Sequence, residues 1–275
     1  MREKAYDTHT YKHTTMGFLK DIQDMPNQYE YSKQFFARYY RPEYVSIVVA
    51  GDIDVERTRT LVAKYWGGWK RGAYVAPIPP EPPQTAPRDV HVEWPTATLP
   101  WVAVAFKAPA YSDTDKDGAA LDLISFLGFS STSDLYQKLV IREQKVDALG
   151  ASNADHVDPY LFTVMARVKN AVDVNSVKDQ ILAALASFRE TPVAAEKLET
   201  LKKHIRYSFA LRLDNSEAIA ATLARYVALK RTPETVNRNF ELIEQITPED
   251  LQRVARKYFV DNGRTIATLA GGKAK

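Results

Sequence analysis

The sequence predicts a protein of mixed helices and strands in which one helix–turn–strand unit occurs twice. Short β-branched or alternating runs, such as residues 45–53 and 101–109, are separated by segments of helical periodicity. Residues 35–51 and 253–271 share one layout: a helix ending in an aromatic pair, a turn, and a β-rich run ending in Ala-Gly. A proline-rich segment lies between the two copies. These observations predict two related parts joined by a linker.

The composition is that of an ordinary globular chain. Of its 275 residues, 45% are hydrophobic and 26% are charged, and no apolar run approaches the roughly 18 residues that a membrane span needs. The net charge of +3 comes from 37 basic and 34 acidic residues without a basic block, so no nucleic-acid partner is expected. Cysteine is absent, which excludes thiol catalysis and disulfides. The opening MREKAYDTHT does not have the pattern of a secretory signal.

The first part contains two predicted helices and one strand. A helix over residues 31–40 is ended by Arg41-Pro42, since proline disfavours helical backbone in the residue before it. Residues 45–53 (VSIVVAGDI) predict a buried strand, and residues 54–66 a helix ended by Gly67-Gly68.

The linker, residues 74–88, contains six prolines, which favour an extended and semi-rigid conformation. The predicted domains are therefore residues 1–73 and residues 89–275 on either side of it.

The second part predicts strands and helices in alternation. The predicted elements are strands at 89–94 and 101–109, a helix at about 115–127 stopping at Gly128, a helix from Ser133, a strand pair turning at Asp158-Pro159, a run of helices, and a final strand at 265–271. Three Thr-Pro pairs, at Thr191, Thr232 and Thr247, match the cap-then-proline pattern of helix starts.

The repeat has two interpretations. The aromatic pairs Tyr39-Tyr40 and Tyr258-Phe259 are offset by 219 positions, which indicates a duplicated domain whose first copy is incomplete. Alternatively, helix–turn–strand units recur by chance in proteins that contain both elements.

Two short motifs suggest metal sites. His9 and His13 are four residues apart, the spacing that places two zinc ligands on one helix face, but the glutamate of a zinc hydrolase is missing and Lys12 lies between them. Asp113, Asp115, Asp117 and Gly118 match the start of a calcium loop, but its twelfth position is Ile124 instead of a bidentate glutamate. The alternative is that these carboxylates stabilise the start of a helix.

Three stretches together resemble the pitrilysin, insulinase and mitochondrial processing peptidase family of zinc metallopeptidases. HTYKHTTMGFLKDI is similar to the family's His-Pro-Tyr … Gly segment, with threonine in place of the proline. FFARYYRPEYVSIVVAGDID is similar to its helix, Tyr-Tyr-x-Pro, strand and Gly-Asp. LGFSSTSDLYQKLVIREQKVDALGAS is similar to the first helix of its second domain. The resemblance extends from about Tyr6 to Gly271.

The resemblance implies an α+β fold: a duplicated two-layer sandwich of helices on a mostly antiparallel sheet, of the processing-peptidase metallohydrolase type. It implies that zinc in the full-length parent is held by an inverted H-x-x-E-H motif with a downstream glutamate, and none of these residues is present here. No catalytic or metal-ligating residue is therefore assigned, and the chain alone is expected to be inactive.

The family's second domain often supplies an arginine and a tyrosine that hold the substrate. The matching positions are Val140 and Asp147, so both depart from the pattern. Lys138 and Arg142 are the candidate substrate-binding cations, and a solvated helix face is the alternative use of both. Because some family members borrow the pair from a partner, a hetero- or homodimer with a related subunit is compatible with the resemblance.

The resemblance leads to two functional hypotheses. In the first, the chain is part of a zinc metalloendopeptidase and contributes the non-metal half of a chamber for peptides or unfolded polypeptides. In the second, it is a non-catalytic partner or scaffold subunit of the same family. The family also suggests a periplasmic or extracytoplasmic location. A third class, an unrelated binding module, requires the repeat to be accidental.

Overall fold

The computed structural model describes residues 1–272 and has the predicted α+β architecture, with helices layered on one sheet. The helices are α1 (Arg2–Ala5), α2 (Leu19–Asp24), α3 (Tyr29–Tyr39), α4 (Val55–Trp66), α5 (Asp117–Phe129), α6 (Asp134–Tyr136), α7 (Val174–Glu190), α8 (Ala195–Arg212), α9 (Ser216–Lys230), α10 (Thr235–Gln245) and α11 (Pro248–Tyr258). The strands are β1 (Arg88–Trp94), β2 (Trp101–Lys107), β3 (Val146–Asn153), β4 (Leu161–Val168) and β5 (Arg264–Gly271).

The sheet has the order β1-β5-β2-β4-β3, so β1 and β3 are its edges. Three of its strand pairs are antiparallel and one, β1 with β5, is parallel. This agrees with the predicted sandwich of helices on a mostly antiparallel sheet. The bulge between Val146 and Ala148 lies at the start of the edge strand β3, a position where bulges commonly redirect side chains.

The core lies between one face of the sheet and helices α5, α7 and α11. Alternate residues of β2 and β4 point into it, among them Val104 and Phe162, which are fully buried. Leu123 of α5 and Ile181 of α7 meet them from the helix layer. Each such side chain contributes about 1.5–3 kcal/mol by leaving water. Within residues 1–272, the opposite face of the sheet carries no helix layer beyond the one-turn α1, and it is called the open face below.

Each of the three aspartates of the suspected calcium motif accepts hydrogen bonds from a different part of the structure. Asp113 accepts a hydrogen bond from Arg238 of α10 at 3.3 Å, and Asp115 accepts one from the backbone N–H of Asp117 at 2.7 Å. Asp117 is buried and accepts from three side chains of α11, Arg253 at 2.8 Å, Lys257 at 2.6 Å and Tyr258 at 2.9 Å. The motif therefore ties the start of α5 to α10 and α11.

The predicted repeat is visible in the local backbone. Both α3 and α11 end in an aromatic C-cap, Tyr40 and Phe259, whose backbone angles are φ −86°, ψ 79° and φ −85°, ψ 59°. In each copy a single 3₁₀ turn follows, at Pro42–Tyr44 and Asp261–Gly263, and then an extended run. The offset of 219 positions holds through the turn in both copies.

The prediction of a buried strand at residues 45–53 is wrong. The second copy's extended run is β5, which has neighbours on both sides, whereas no strand among residues 1–272 pairs with the first copy's run. Val45, Ile47 and Val49 are each 40–47% exposed. β-branched residues favour extended backbone, but a strand also needs a hydrogen-bonding neighbour.

Three helix boundaries also differ from expectation. Gly128 does not end α5 but lies inside it, where a Cβ would sit 3.0 Å from the ring of Phe188, so glycine here permits close helix packing. Of the three Thr-Pro pairs, only Thr247 caps its helix, in a capping box with Asp250. Helices α8 and α10 begin two or more residues beyond their prolines, with Ala194 and Glu234 at the N-cap.

One contact between the first part and the second is made by the end of α9. Arg231, the C-cap of α9, has left-handed backbone (φ 60°) and extends its guanidinium to Ser46 Oγ at 3.1 Å and to the carbonyl of Glu43 at 3.0 Å. Among the described helices, none has the length and apolar character that crossing a bilayer demands.

Asp117→Asn is expected to destabilise the fold by about 1–3 kcal/mol, because it removes the charge from a buried acceptor shared by three side chains. Burial by itself raises the pKa of Asp117, but the hydrogen bonds from Lys257, Arg253 and Tyr258 outweigh it and hold the pKa below its usual value. The stabilisation is therefore present above about pH 4 and is lost as the pH falls further. Urea unfolding at pH 7 and pH 3 measures both effects.

The matched control is Asp134→Asn. Asp134 pairs with Lys197, but its side chain is 96% exposed, so the free energy of unfolding should change by less than about 0.5 kcal/mol. Equal destabilisation by the two substitutions contradicts the assigned role of Asp117.

Candidate functional site

The open face of the sheet is the candidate site, and the strand register orders its side chains into rows. One row runs Ala148, Arg167, Trp101, Leu269 and Val92 across the five strands. The next runs Gly150, Met165, Ala103, Ala267 and Val90, and is composed mainly of small residues. Small side chains between larger ones leave a shallow depression across the face.

The N-terminal segment, residues 1–13, covers one end of the open face. Its Ala5 and Tyr6 are buried against Ala105 of β2 and Leu161 of β4. The ammonium of Lys107 lies 3.8 Å from the centroid of the Tyr6 ring, a cation–π contact. The remaining end, around Met165 and Trp101, stays accessible.

Glu81 of the proline-rich segment anchors the N-terminal segment. Its carboxylate accepts hydrogen bonds from three consecutive backbone N–H groups, those of Asp7 (2.9 Å), Thr8 (3.0 Å) and His9 (3.0 Å). The ammonium of Lys107 donates to the same carboxylate at 3.1 Å. Burial raises the pKa of Glu81, but these bonds outweigh burial and lower the pKa to about 2.

The two histidines of the opening stretch do not form a zinc site. His9 is buried with extended backbone, its Nδ1 accepts from the Tyr11 N–H at 3.1 Å, and its Nε2 lies 3.3 Å from Asp158. His13 is exposed and contacts Phe18. Since both nitrogens of His9 are occupied, and no group of three or more potential ligands occurs within residues 1–272, the described residues do not fit zinc.

A groove of about 530 Å³ lies over the accessible end of the open face, beside the edge strand β3. It is lined by Trp101, Tyr136, Thr163, Met165 and strand residues 147–152. Its charged lining residue is Asp147, which forms a bidentate ion pair with Arg167, at 2.7 Å and 2.9 Å. The hydrogen bonds from Arg167 lower the pKa of Asp147, and the guanidinium also lies over the Trp101 ring.

The residues singled out from the sequence lie around this groove but not in one place. Asp147, which takes the position of the family's tyrosine, lines the groove, whereas Val140 packs against the core. Lys138 and Arg142 lie on the π-helical turn that continues α6, outside the groove lining. Lys138 is 3.8 Å from Glu143, and the exposed Arg142 forms no ion pair within the described chain. Their substrate-binding role stays a prediction.

Three residues of this site were missed from the sequence: Glu81, Trp101 and Arg167. Glu81 was predicted only as part of a linker, and its backbone partners, residues 7–9, are 72–74 residues distant in the chain. Arg167 could have been found, because it lies opposite Ala148 once the β3–β4 pair is aligned.

The fold is that of an inactive domain of a peptidase family. The profile of the family described as "Peptidase M16 inactive domain" matches residues 28–205, well over half of the chain. The chain belongs to this family, which confirms the resemblance to zinc metallopeptidases found in the sequence.

Individual relatives support the same assignment. "Zinc protease PqqE" of Helicobacter pylori is 28% identical over 269 residues, covering 96% of this chain and 60% of the relative. A protease structure from Helicobacter pylori superposes with a TM-score of 0.88 at 26% identity, over 98% of this chain and 65% of that one. A peptidase M16 inactive domain from Pseudomonas fluorescens shares the fold, with a TM-score of 0.81 at 16% identity, over 99% and 64%. The chain thus spans less than two thirds of these relatives.

Glu81→Gln is expected to loosen the N-terminal segment, because a neutral amide replaces a charge-assisted acceptor of three N–H groups and one ammonium. The expected loss is about 1–3 kcal/mol of local stability. Hydrogen exchange followed by mass spectrometry should show faster exchange in residues 1–13, with β4 and α5 unchanged.

Glu56→Gln is the matched control for this substitution. Glu56 lies in the first turn of α4, and its side chain is 80% exposed. Its exchange profile in residues 1–13 should equal that of the unaltered protein. If Glu81→Gln also leaves that profile unaltered, the carboxylate does not anchor the segment.

Proposed function

We propose that this chain forms the non-metal half of the substrate chamber of a zinc metalloendopeptidase. The observation that carries the proposal is the open face, on which residues 1–272 place no helix layer beyond α1. It has a groove at one end and the N-terminal segment at the other. The match to an inactive peptidase domain supports it. Zinc and the water-activating glutamate of the parent lie outside the residues described.

The chain's own residues are proposed to bind peptide and to perform no bond cleavage. An extended peptide exposes backbone N–H and C=O groups, which suit the outer side of β3, where no strand from residues 1–272 is paired. Trp101 and Met165 offer apolar contact, and Met165 is 45% exposed. A folded protein would not fit, because its backbone hydrogen bonds are already made.

The second candidate, a non-catalytic partner subunit, is supported by the surface of α3. Tyr31, Phe35 and Phe36 of this helix are each 42–59% exposed, which is unusual for three large aromatic side chains so close together. Such a surface suits coverage by another polypeptide, either a further part of the same protein or a related subunit in a hetero- or homodimer.

The chain is expected to bind unstructured peptide without hydrolysing it. After metal removal and equilibration with zinc, metal analysis should find far less than one zinc per chain. A fluorescent unstructured peptide should show raised anisotropy but no cleavage products, and a folded domain of equal mass should not compete.

Two results contradict this proposal. Stoichiometric zinc binding that is lost in the His9→Ala/His13→Ala variant would show that these two histidines do bind zinc, contrary to the geometry described above. Absence of peptide binding would contradict the proposal that the chain forms half of the substrate chamber. A role as a non-catalytic partner subunit would then be tested by sedimentation with a related subunit.

A further inference from the structure

Two carboxylates lie close together where α5, the end of β3 and helices α9 and α10 meet. Asp122 belongs to α5, and Asp155 follows the last residue of β3 by two positions. Both line a cavity of about 10 Å³, together with Tyr111, Asn153 and Asn239. A space of this size has room for about one water molecule, so it does not admit a substrate. What distinguishes the cluster is the charge of its two acids.

The two acids have unequal partners. The carboxylate of Asp155 pairs with the guanidinium of Arg225 at 3.0 Å. Asp122 accepts a hydrogen bond of 3.1 Å from the side-chain amide of Asn153, which also donates to the carbonyl of Gly118 at 3.2 Å. Within residues 1–272, no cation lies within ion-pair distance of Asp122. An ionised Asp122 therefore has no counter-ion of its own and faces the charge of Asp155.

The electrostatics of the pair follow from this arrangement. Burial and the charge of Asp155 raise the pKa of Asp122 to about 8, although the Asn153 hydrogen bond and the charge of Arg225 oppose them. Burial also raises the pKa of Asp155, against the opposing effect of Arg225. A carboxyl group taken out of water beside a like charge favours its neutral form. At pH 7, Asp122 is therefore mainly the neutral acid.

The other polar groups that face the pair come from four segments. They are Tyr111 before α5, His156 after β3, Arg225 and Tyr226 of α9, and Thr235 and Asn239 of α10, with Asp113 and Lys230 beside Tyr111. Burial raises the pKa of Tyr111 and that of Tyr226, so both phenols stay neutral where Asp122 titrates. The ring of His156 stacks on Tyr160, with Nδ1 2.9 Å from the Ala154 carbonyl.

Helix α9 is positioned by few contacts, and this cluster supplies one of them. None of its residues is fully buried. The ion pair of Arg225 with Asp155 fixes its middle, and the half-buried Tyr226 lies beside that pair. At its C-terminus, Arg231 contacts residues 43–46 of the first part. A change at the acid pair therefore reaches the junction between the two parts of the chain through α9.

We propose that Asp122 and Asp155 form a pH-sensitive latch, which keeps α9 packed while Asp122 is protonated and releases α9 when Asp122 ionises. An ionised Asp122 repels Asp155 and competes with it for Arg225. It also gains free energy when α9 moves away and water reaches it, because a charged carboxylate is most stable in water. This regulatory role goes beyond the proposed function and does not depend on peptide binding.

The direction of the pH effect follows from proton linkage. In the closed state Asp122 has a raised pKa, whereas in an open, hydrated state its pKa returns to about 4. The closed state therefore binds the proton more tightly, and rising pH favours opening by up to about tenfold per pH unit between pH 4 and pH 8. Above pH 8 both states are ionised and the effect ends. Asp117 acts below pH 4, so the two effects are separable.

The test is hydrogen exchange of the full chain at pH 5.5, 7 and 8.5, followed by mass spectrometry. Rates are expressed as protection factors, which removes the intrinsic effect of pH on exchange. Protection in residues 216–231 should fall by about tenfold or more between pH 5.5 and pH 8.5, with β4 unchanged. Asp122→Asn should abolish this fall, because asparagine resembles the neutral acid and does not ionise.

Asp179→Asn is the matched control. Asp179 also lies within a helix, α7, but its side chain is 69% exposed and its neighbour Lys178 is 3.6 Å away. Its substitution should leave the pH-dependent fall in α9 protection intact. Circular dichroism at pH 5.5 should show that both variants are folded.

Two further measurements keep the test decisive if Asp122→Asn does not fold. In the unaltered chain labelled with carboxyl-¹³C aspartate, one aspartate resonance should titrate near pH 8, far above the others. Asp155→Asn should move that titration to lower pH, because it removes the neighbouring negative charge and frees Arg225. A merely structural role of Asp155 would not produce this shift.

Three results overturn the latch. The first is the absence of an aspartate that titrates above about pH 6.5. The second is protection in α9 that stays constant from pH 5.5 to pH 8.5. The third is a fall that persists in Asp122→Asn, which would assign the effect to another group such as His156. None of these measurements uses peptide, so they leave the proposed chamber function untouched, and a failure of peptide binding leaves the latch standing.

Discussion

The carboxylate of Glu81 determines how much of the sheet's open face is covered. It accepts three consecutive backbone N–H groups of residues 7–9 and the ammonium of Lys107, so it joins the proline-rich segment, the N-terminal segment and strand β2 at one point. Because residues 1–13 are held there, Tyr6 is buried over Ala105 and Leu161. The opposite end of the face, with Trp101 and Met165, is left as the groove.

The two faces of the sheet differ in the interactions that their side chains make. The helix-covered face is stabilised by apolar burial, and its polar elements, such as Asp117 with its three partners from α11, serve to fix helix positions. The open face has small residues, an ion pair whose two members bond each other, and an edge strand whose outer side pairs with no strand in the part of the chain that the structure describes. A surface of this kind offers shape and backbone hydrogen bonds instead of reactive groups, which suits the proposed binding role.

Much of the fold could be predicted from local signals. Helix caps, alternating strands and the prolines located most elements to within a few residues, and the repeated unit predicted matching backbone at Tyr40 and Phe259. The residues of the candidate site were harder to predict from the sequence. Lys138 and Arg142 were predicted as exposed cations on a helix, whereas the cation that pairs with the groove residue Asp147 is Arg167, which the β3–β4 pairing brings next to it. Charge type is visible in a sequence, but the partner of a charge is not.

The sequence by itself determined the local conformation of the repeated unit: a helix, an aromatic cap, a 3₁₀ turn and an extended run, at residues 29–50 and 248–271. Only the tertiary structure decided what each extended run became. One is the strand β5, between β1 and β2, and the other has no neighbour within residues 1–272. The reason is that backbone angles and caps depend on neighbouring residues in the chain, whereas a strand, a buried carboxylate or a groove depends on which distant segments meet it.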